Sequence, residues 1–111
     1  MRRLSDRRGF TLVEIMIVVA IIGLLAAIAI PNMARARTEA STRGCVNNLR
    51  IIDAAKEQDA LMNNIAVGAA AANYLNFIKG GAAPTCPGGG VYTIGNVGTD
   101  PTCSLGGQHT L

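Results

Sequence analysis

The chain has 111 residues, half of them hydrophobic and only 15% charged, which excludes a disordered protein and most multidomain enzymes. Its net charge of +3 comes wholly from Arg2, Arg3, Arg7 and Arg8 set against Asp6; from Phe10 onward six basic and six acidic residues cancel, which argues against intrinsic nucleic-acid binding. Two Phe, two Tyr and no Trp exclude a large aromatic core and argue against conduction of electrons through stacked rings.

Residues 10–30 form a nearly unbroken apolar run of 21 residues, about 31 Å long as a helix, which matches the hydrocarbon thickness of a bilayer. Four arginines precede the run and none falls within it, so the positive-inside bias places residues 1–9 in the cytoplasm and the chain beyond Pro31 across the membrane. As a secretory signal peptide the run is too long, although Ala27-Ile28-Ala29 has the small-residue pattern of a cleavage site. As an ordinary anchor it has a different difficulty, the carboxylate of Glu14, because an acidic group in hydrocarbon is costly. Glu14 either serves a function or snorkels to the interface, since it lies about 6 Å along the helix from Phe10.

The segment from Gly9-Phe10-Thr11-Leu12-Val13-Glu14 to Ala29-Ile30-Pro31 resembles the N-terminal signature of type IV pilins and of type II secretion pseudopilins. The resemblance implies a prepilin leader at residues 1–9, cut by a prepilin peptidase between Gly9 and Phe10, with N-methylation of Phe10 as the new first residue. Removing the arginines leaves an apolar rod without a cationic lock, so the subunit becomes extractable from the bilayer. Cleavage also makes an α-ammonium on Phe10. In a helical bundle Glu14 of one subunit then neutralises the ammonium of an axially offset neighbour; an unpaired carboxylate there is strongly destabilising, so the pairing selects one stagger. Gly23 and Pro31 interrupt this helix. Glycine costs about 1 kcal/mol against Ala and proline removes a hydrogen bond, so the stretch between them is the weakest part of the rod. The resemblance implies local loss of helix there in a filament; a simple kink is the other reading.

Residues 32–62 continue the helix in amphipathic form. Arg35, Glu39 and Arg43 follow at i,i+4 spacing, and Cys45, Leu49, Ile52 and Ala55 make one apolar stripe, flanked by Val46 and Ile51, that faces a small domain. Gly44 lies mid-helix at a cost, with no reason visible in the sequence. The helix is expected to end near residues 62–64, giving a rod of roughly 50 residues and about 75 to 80 Å. Residues 63–111 form the globular region. Asn73 is the expected N-cap of a short helix over residues 74–79 closed by Gly80, with Leu75 and Ile78 packing on the long helix. Residues 80–111 hold nine of the thirteen glycines and three of the four prolines, a turn-rich composition. Residues 91–94 read as a strand, with residues 102–104 and 109–111 as weak partners. The expected fold is α+β: a long N-terminal α-helix packed on a two- to three-stranded antiparallel sheet.

About 80 residues outside the membrane make a core that is marginal on burial alone. An extracytoplasmic location permits a disulfide. Cys86 and Cys103 enclose 16 residues, and bridging them contributes about 3 kcal/mol in the chain-entropy description. Cys45 is then a buried thiol; the rival pairing ties Cys45 to either of the others. A disulfide-closed C-terminal loop is similar to what many type IV pilins carry. No metal or cofactor is expected, because a lone His and scattered cysteines lack ligand spacing.

No base and nucleophile pair and no phosphate-binding loop are present, Gly88-Gly89-Gly90 lacking the lysine and helix such a loop needs, so no enzymatic activity is expected. His109 reads as a surface or strand residue. The resemblance implies a homopolymer served by a prepilin peptidase and an inner-membrane assembly machinery. The subunit is expected in the inner membrane before assembly and in an extracellular pilus, or a periplasmic pseudopilus, afterwards. Major pseudopilins carry an acid-rich C-terminal calcium loop, whereas Asp100 is the one acid here after Asp59, which leans toward a pilin. A non-polymerising anchor displaying a binding module is the reading from another class, and it predicts an unprocessed N-terminus at Met1.

Overall fold

The computed structural model describes residues 8–111, so the expected leader lies outside the described residues apart from Arg8 and Gly9. The chain divides into two compact units, the first ending at Arg35 and the second spanning Ala36–Leu111. A single helix, α1 (Leu12–Asn63), supplies the first unit and enters the second.

Both ends of α1 are built by side-chain and backbone caps. At the start, the Glu14 backbone N–H donates to Thr11 Oγ1 at 3.3 Å and the Thr11 N–H donates to Glu14 Oε2 at 3.4 Å, which satisfies two of the donors a helix N-terminus leaves open. At the other end Asn64 takes a left-handed φ of 53°, and the Ile65 N–H reaches back to the Ala60 carbonyl at 2.9 Å. This reverse turn stops the helix within the expected interval. Gly23 and Pro31 both lie inside α1, which is helical through both positions in the single chain.

In the first unit the apolar side chains are exposed. Phe10 is 86% accessible, Leu24 68% and Ile30 68%. The helix is long and apolar enough to cross a membrane, and no residue of its most apolar window is buried. Among the described residues, nothing covers the hydrophobic surface of this unit.

The second unit has a small core. Cys45, Leu49, Ile52 and Ala55 are buried on α1, as their spacing predicts, while Ile51 remains exposed. Against this stripe lie Cys86, Cys103 and the half-buried Tyr92. Strands β1 (Tyr92–Thr93) and β2 (Thr102–Cys103) pair antiparallel, with Tyr92 opposite Cys103 and Thr93 opposite Thr102. The ladder is prolonged by the Ser104 N–H donating to the Val91 carbonyl at 2.9 Å. The architecture is the expected α+β, with two strands among the described residues.

Two local expectations change. Residues 109–111 are not a strand, because Gly106 and Gly107 at φ 59° and 56° turn the chain, and the His109 N–H closes the turn on the Gly106 carbonyl at 2.9 Å. The helix expected over residues 74–79 is a four-residue 3-10 turn, Tyr74–Phe77, and Asn73 makes no side-chain cap bond to it. Its backbone N–H is held instead by Asp59 Oδ2 at 3.0 Å. After α1, residues 65–72 are tied into the fold by two backbone bonds, Gly68 N–H to the Val97 carbonyl and Val97 N–H to the Ala69 carbonyl, both 2.9 Å.

Candidate functional site

The residues that the sequence assigns to processing and assembly lie at the start of the first unit. Residues 8–11 precede the helix without regular structure, so the Gly9–Phe10 bond sits in open, exposed chain. Gly9 has open space where a Cβ would stand. Arg8, Gly9, Phe10 and Glu14 line one shallow surface depression. Glu14 is exposed there, with its carboxylate bonded back to the N–H of Thr11, where the positive end of the helix dipole also favours a negative charge.

A second constellation forms in the other unit from residues far apart in the chain. Cys45 comes from α1, Cys86 from the loop after Pro84, Cys103 from β2, and His109 from the C-terminal turn. One donor atom from each lies within 4.8 Å of all the others. Cys86 and Cys103, the pair expected to bridge, have their Sγ atoms 3.8 Å apart. Cys45 is fully buried and the other two are 6% exposed. His109 turns Nδ1 toward Cys86 Sγ at 3.9 Å and Nε2 toward Thr42 Oγ1 at 3.4 Å. The Thr42 hydroxyl donates its proton to the Thr38 carbonyl at 3.0 Å, so toward His109 it acts as an acceptor. That arrangement puts the imidazole proton on Nε2 and leaves the Nδ1 lone pair facing the sulfurs.

The thiols differ in acidity. Burial pushes the Cys45 thiol up to about 11. Burial also opposes ionisation of Cys86, but the backbone N–H groups of Gly90 and Gly88, followed by the Cys45 and Cys103 thiols, outweigh it and bring the group down to about 6. Burial pushes the Tyr92 hydroxyl up, while the Asn48 amide donates to its oxygen at 3.2 Å. The glycines around the cluster permit close approach: a Cβ on Gly90 would stand 2.5 Å from Cys103 Sγ, and one on Gly88 would stand 3.3 Å from His109 Cε1. Gly44 acquires a reason here, since a Cβ at that position would press on Pro87 Cγ at 3.1 Å.

Two further polar groups were not singled out by the sequence. Lys56 and Asp59 continue the buried face of α1 and are both fully inaccessible. Lys56 Nζ donates to the carbonyls of Ile94 at 2.9 Å, Asn96 at 3.3 Å and Thr99, and lies 3.7 Å from Asp53 Oδ1. Asp59 accepts from Asn63 Nδ2 at 2.6 Å through its second oxygen. Their spacing from Ile52, four and seven residues, is the signal that would have found them.

Comparison with known proteins bears on both units. Residues 4–30 match the prokaryotic N-terminal methylation motif. The chain is 33% identical over 105 residues to the type IV wide pilus major component PilA4 of Thermus thermophilus, covering 95% of this chain and 76% of the relative. It is 50% identical over 50 residues to the type IV major pilin protein PilA of Myxococcus xanthus, covering 45% of this chain and 23% of that protein. With the type II secretion system core protein G of Escherichia coli it shares 36% identity over 64 residues, 58% of this chain and 44% of that protein. The chain thus spans less than half the length of these last two relatives. No solved structure matches it.

Proposed function

Because the chain belongs to the type IV pilin and pseudopilin family, we propose that it is the structural subunit of a type IV pilus, polymerising through its N-terminal helix into an extracellular filament. The observation that carries this reading is the unpartnered apolar surface of α1 between Phe10 and Met33, on which every large side chain is exposed. Such a surface is stable either in hydrocarbon or against copies of itself, and a head-to-tail contact between copies does not close, so it builds a fibre.

A prepilin peptidase cuts between Gly9 and Phe10, and methylation of Phe10 leaves its ammonium charged. The membrane holds the subunit until an inner-membrane assembly machinery transfers it to the growing polymer. Glu14 of one subunit meets the Phe10 ammonium of the next and fixes the axial offset. Gly23 and Pro31 make the intervening helix the part that gives way under load. The likeness to type II secretion core protein G supports a second destination, a periplasmic pseudopilus built by the same contact; the match across 95% of the chain to a wide-pilus component favours the surface filament.

Filaments sheared from cells and measured by intact mass test the reading. The expected mass is that of the chain from Phe10 carrying one methyl group, and Glu14→Ala is expected to be processed yet to yield few filaments. Recovery of the chain only as unprocessed single subunits in the membrane would overturn it.

A further inference from the structure

We propose that Cys45, Cys86, Cys103 and His109 form a binding site for one thiophilic divalent cation, zinc(II), held by three thiolates and His109 Nδ1. Donor identity, spacing and orientation each point to this set. A tetrahedral zinc with Zn–S bonds of about 2.3 Å requires sulfurs about 3.8 Å apart, with a slightly shorter edge to an imidazole nitrogen. The Cys86 and Cys103 sulfurs are 3.8 Å apart, Cys86 Sγ and His109 Nδ1 are 3.9 Å apart, and no donor of the set is more than 4.8 Å from another. Four donors from four separate segments of the chain converge on one place.

The surroundings are those a zinc thiolate site needs. Thr42, fixed by its own bond to the Thr38 carbonyl, accepts the Nε2 proton of His109, so the ring presents Nδ1 as a ligand without reorganisation. Gly90 can lie against Cys103 only because it has no side chain. Binding moves no electrons: the cation enters with two positive charges, and the protons still held by the thiols leave to solvent. The bound ion would join α1, the loop before β1, β2 and the C-terminal turn, a staple for a core too small to be secure by burial alone.

A Cys86–Cys103 disulfide is the competing chemistry, because it removes two of the three thiolates and leaves Cys45 and His109 without a role. The test uses the full chain, purified in detergent, reduced, and titrated without oxygen with cobalt(II) and then zinc(II). One cobalt per chain is expected, with an intense near-ultraviolet thiolate-to-cobalt band and the visible bands of a tetrahedral ion, both erased by stoichiometric zinc. Thr42→Val, which only releases the orientation of His109, is expected to weaken binding about 10- to 100-fold. Cys45→Ser and His109→Gln each remove a donor and are expected to weaken it further and to shift the visible bands. The reduced wild-type spectrum needs no variant to fold. Absence of the charge-transfer band from it would overturn the proposal. So would finding that chains taken from their own cell envelope are lighter by two hydrogens, carry a Cys86–Cys103 cystine, hold no zinc and leave Cys45 alone open to alkylation.

Discussion

Thr11 and Glu14 cap each other across the first turn of α1, each accepting the other's backbone N–H, at 3.3 and 3.4 Å. The carboxylate on which the assembly argument rests is therefore also a helix-starting group, and its two roles are separable. Glutamine preserves the cap and loses the charge. Glu14→Gln is expected to leave the helix content of the detergent-solubilised chain unchanged, by circular dichroism, while filament yield falls as far as in Glu14→Ala. A Glu14→Gln strain with normal filaments would show that the cap, and not the charge, matters for polymerisation.

Lys56 donates to three carbonyls of one loop, those of Ile94, Asn96 and Thr99, the second of which also accepts the Thr99 N–H at 3.0 Å. Lys56→Met keeps most of the buried stem and deletes the ammonium, so the Ile94 and Thr99 carbonyls lose this donor while Asn96 keeps the Thr99 N–H. The expected cost is about 1 to 3 kcal/mol, read as a lower urea midpoint with a similar slope.

Gly90→Ala places a methyl 2.5 Å from Cys103 Sγ and 2.9 Å from Leu105 Cγ. Overpacking of this kind costs about 1 to 3 kcal/mol, and the strand pair carrying Cys103 is expected to move away from α1. Thermal unfolding together with the reactivity of Cys103 toward a thiol reagent checks both effects; a thiol as slow to react as in the wild type would contradict the second.

Gly23→Ala meets no atom within 4 Å. The added methyl is expected to stabilise the helix locally by about 1 kcal/mol without a steric penalty. In assembled filaments the same change is expected to shorten the extension reached under a given pulling force, measurable with an optical trap.

Leu49→Ala removes a fully buried side chain from the centre of the small core. The expected loss is about 2 to 5 kcal/mol, large for a core of this size, and is read from thermal unfolding of the detergent-solubilised chain.

The rod and its buried stripe are legible in the sequence because periodicity is a property of neighbouring residues. Cys45, Leu49, Ile52 and Ala55 repeat at helical spacing and are the buried apolar residues of α1. The end of α1 is legible for the same reason, being set by Asn64 and the residues beside it. Lys56 and Asp59 share that spacing, but charge ordinarily marks a solvated face, and the carbonyls and the Asn73 N–H that hold them come from distant turns. His109 escapes for a related reason: two successive glycines in left-handed conformations return it to Thr42, 67 residues earlier in the chain. Spacing along the chain gives no hint that three cysteines and this histidine meet, because their convergence depends on loops whose paths are set by glycine.

The ammonium of Lys56 reads the turn between β1 and β2 solely through its main-chain oxygens. A peptide oxygen is present whatever side chain the residue bears, so exchanging the side chain at Ile94, Asn96 or Thr99 does not in itself delete a contact. The exposed face of that turn can thus drift in sequence while its path is dictated from the helix beneath, which lets a surface change its chemical identity without the subunit losing its shape.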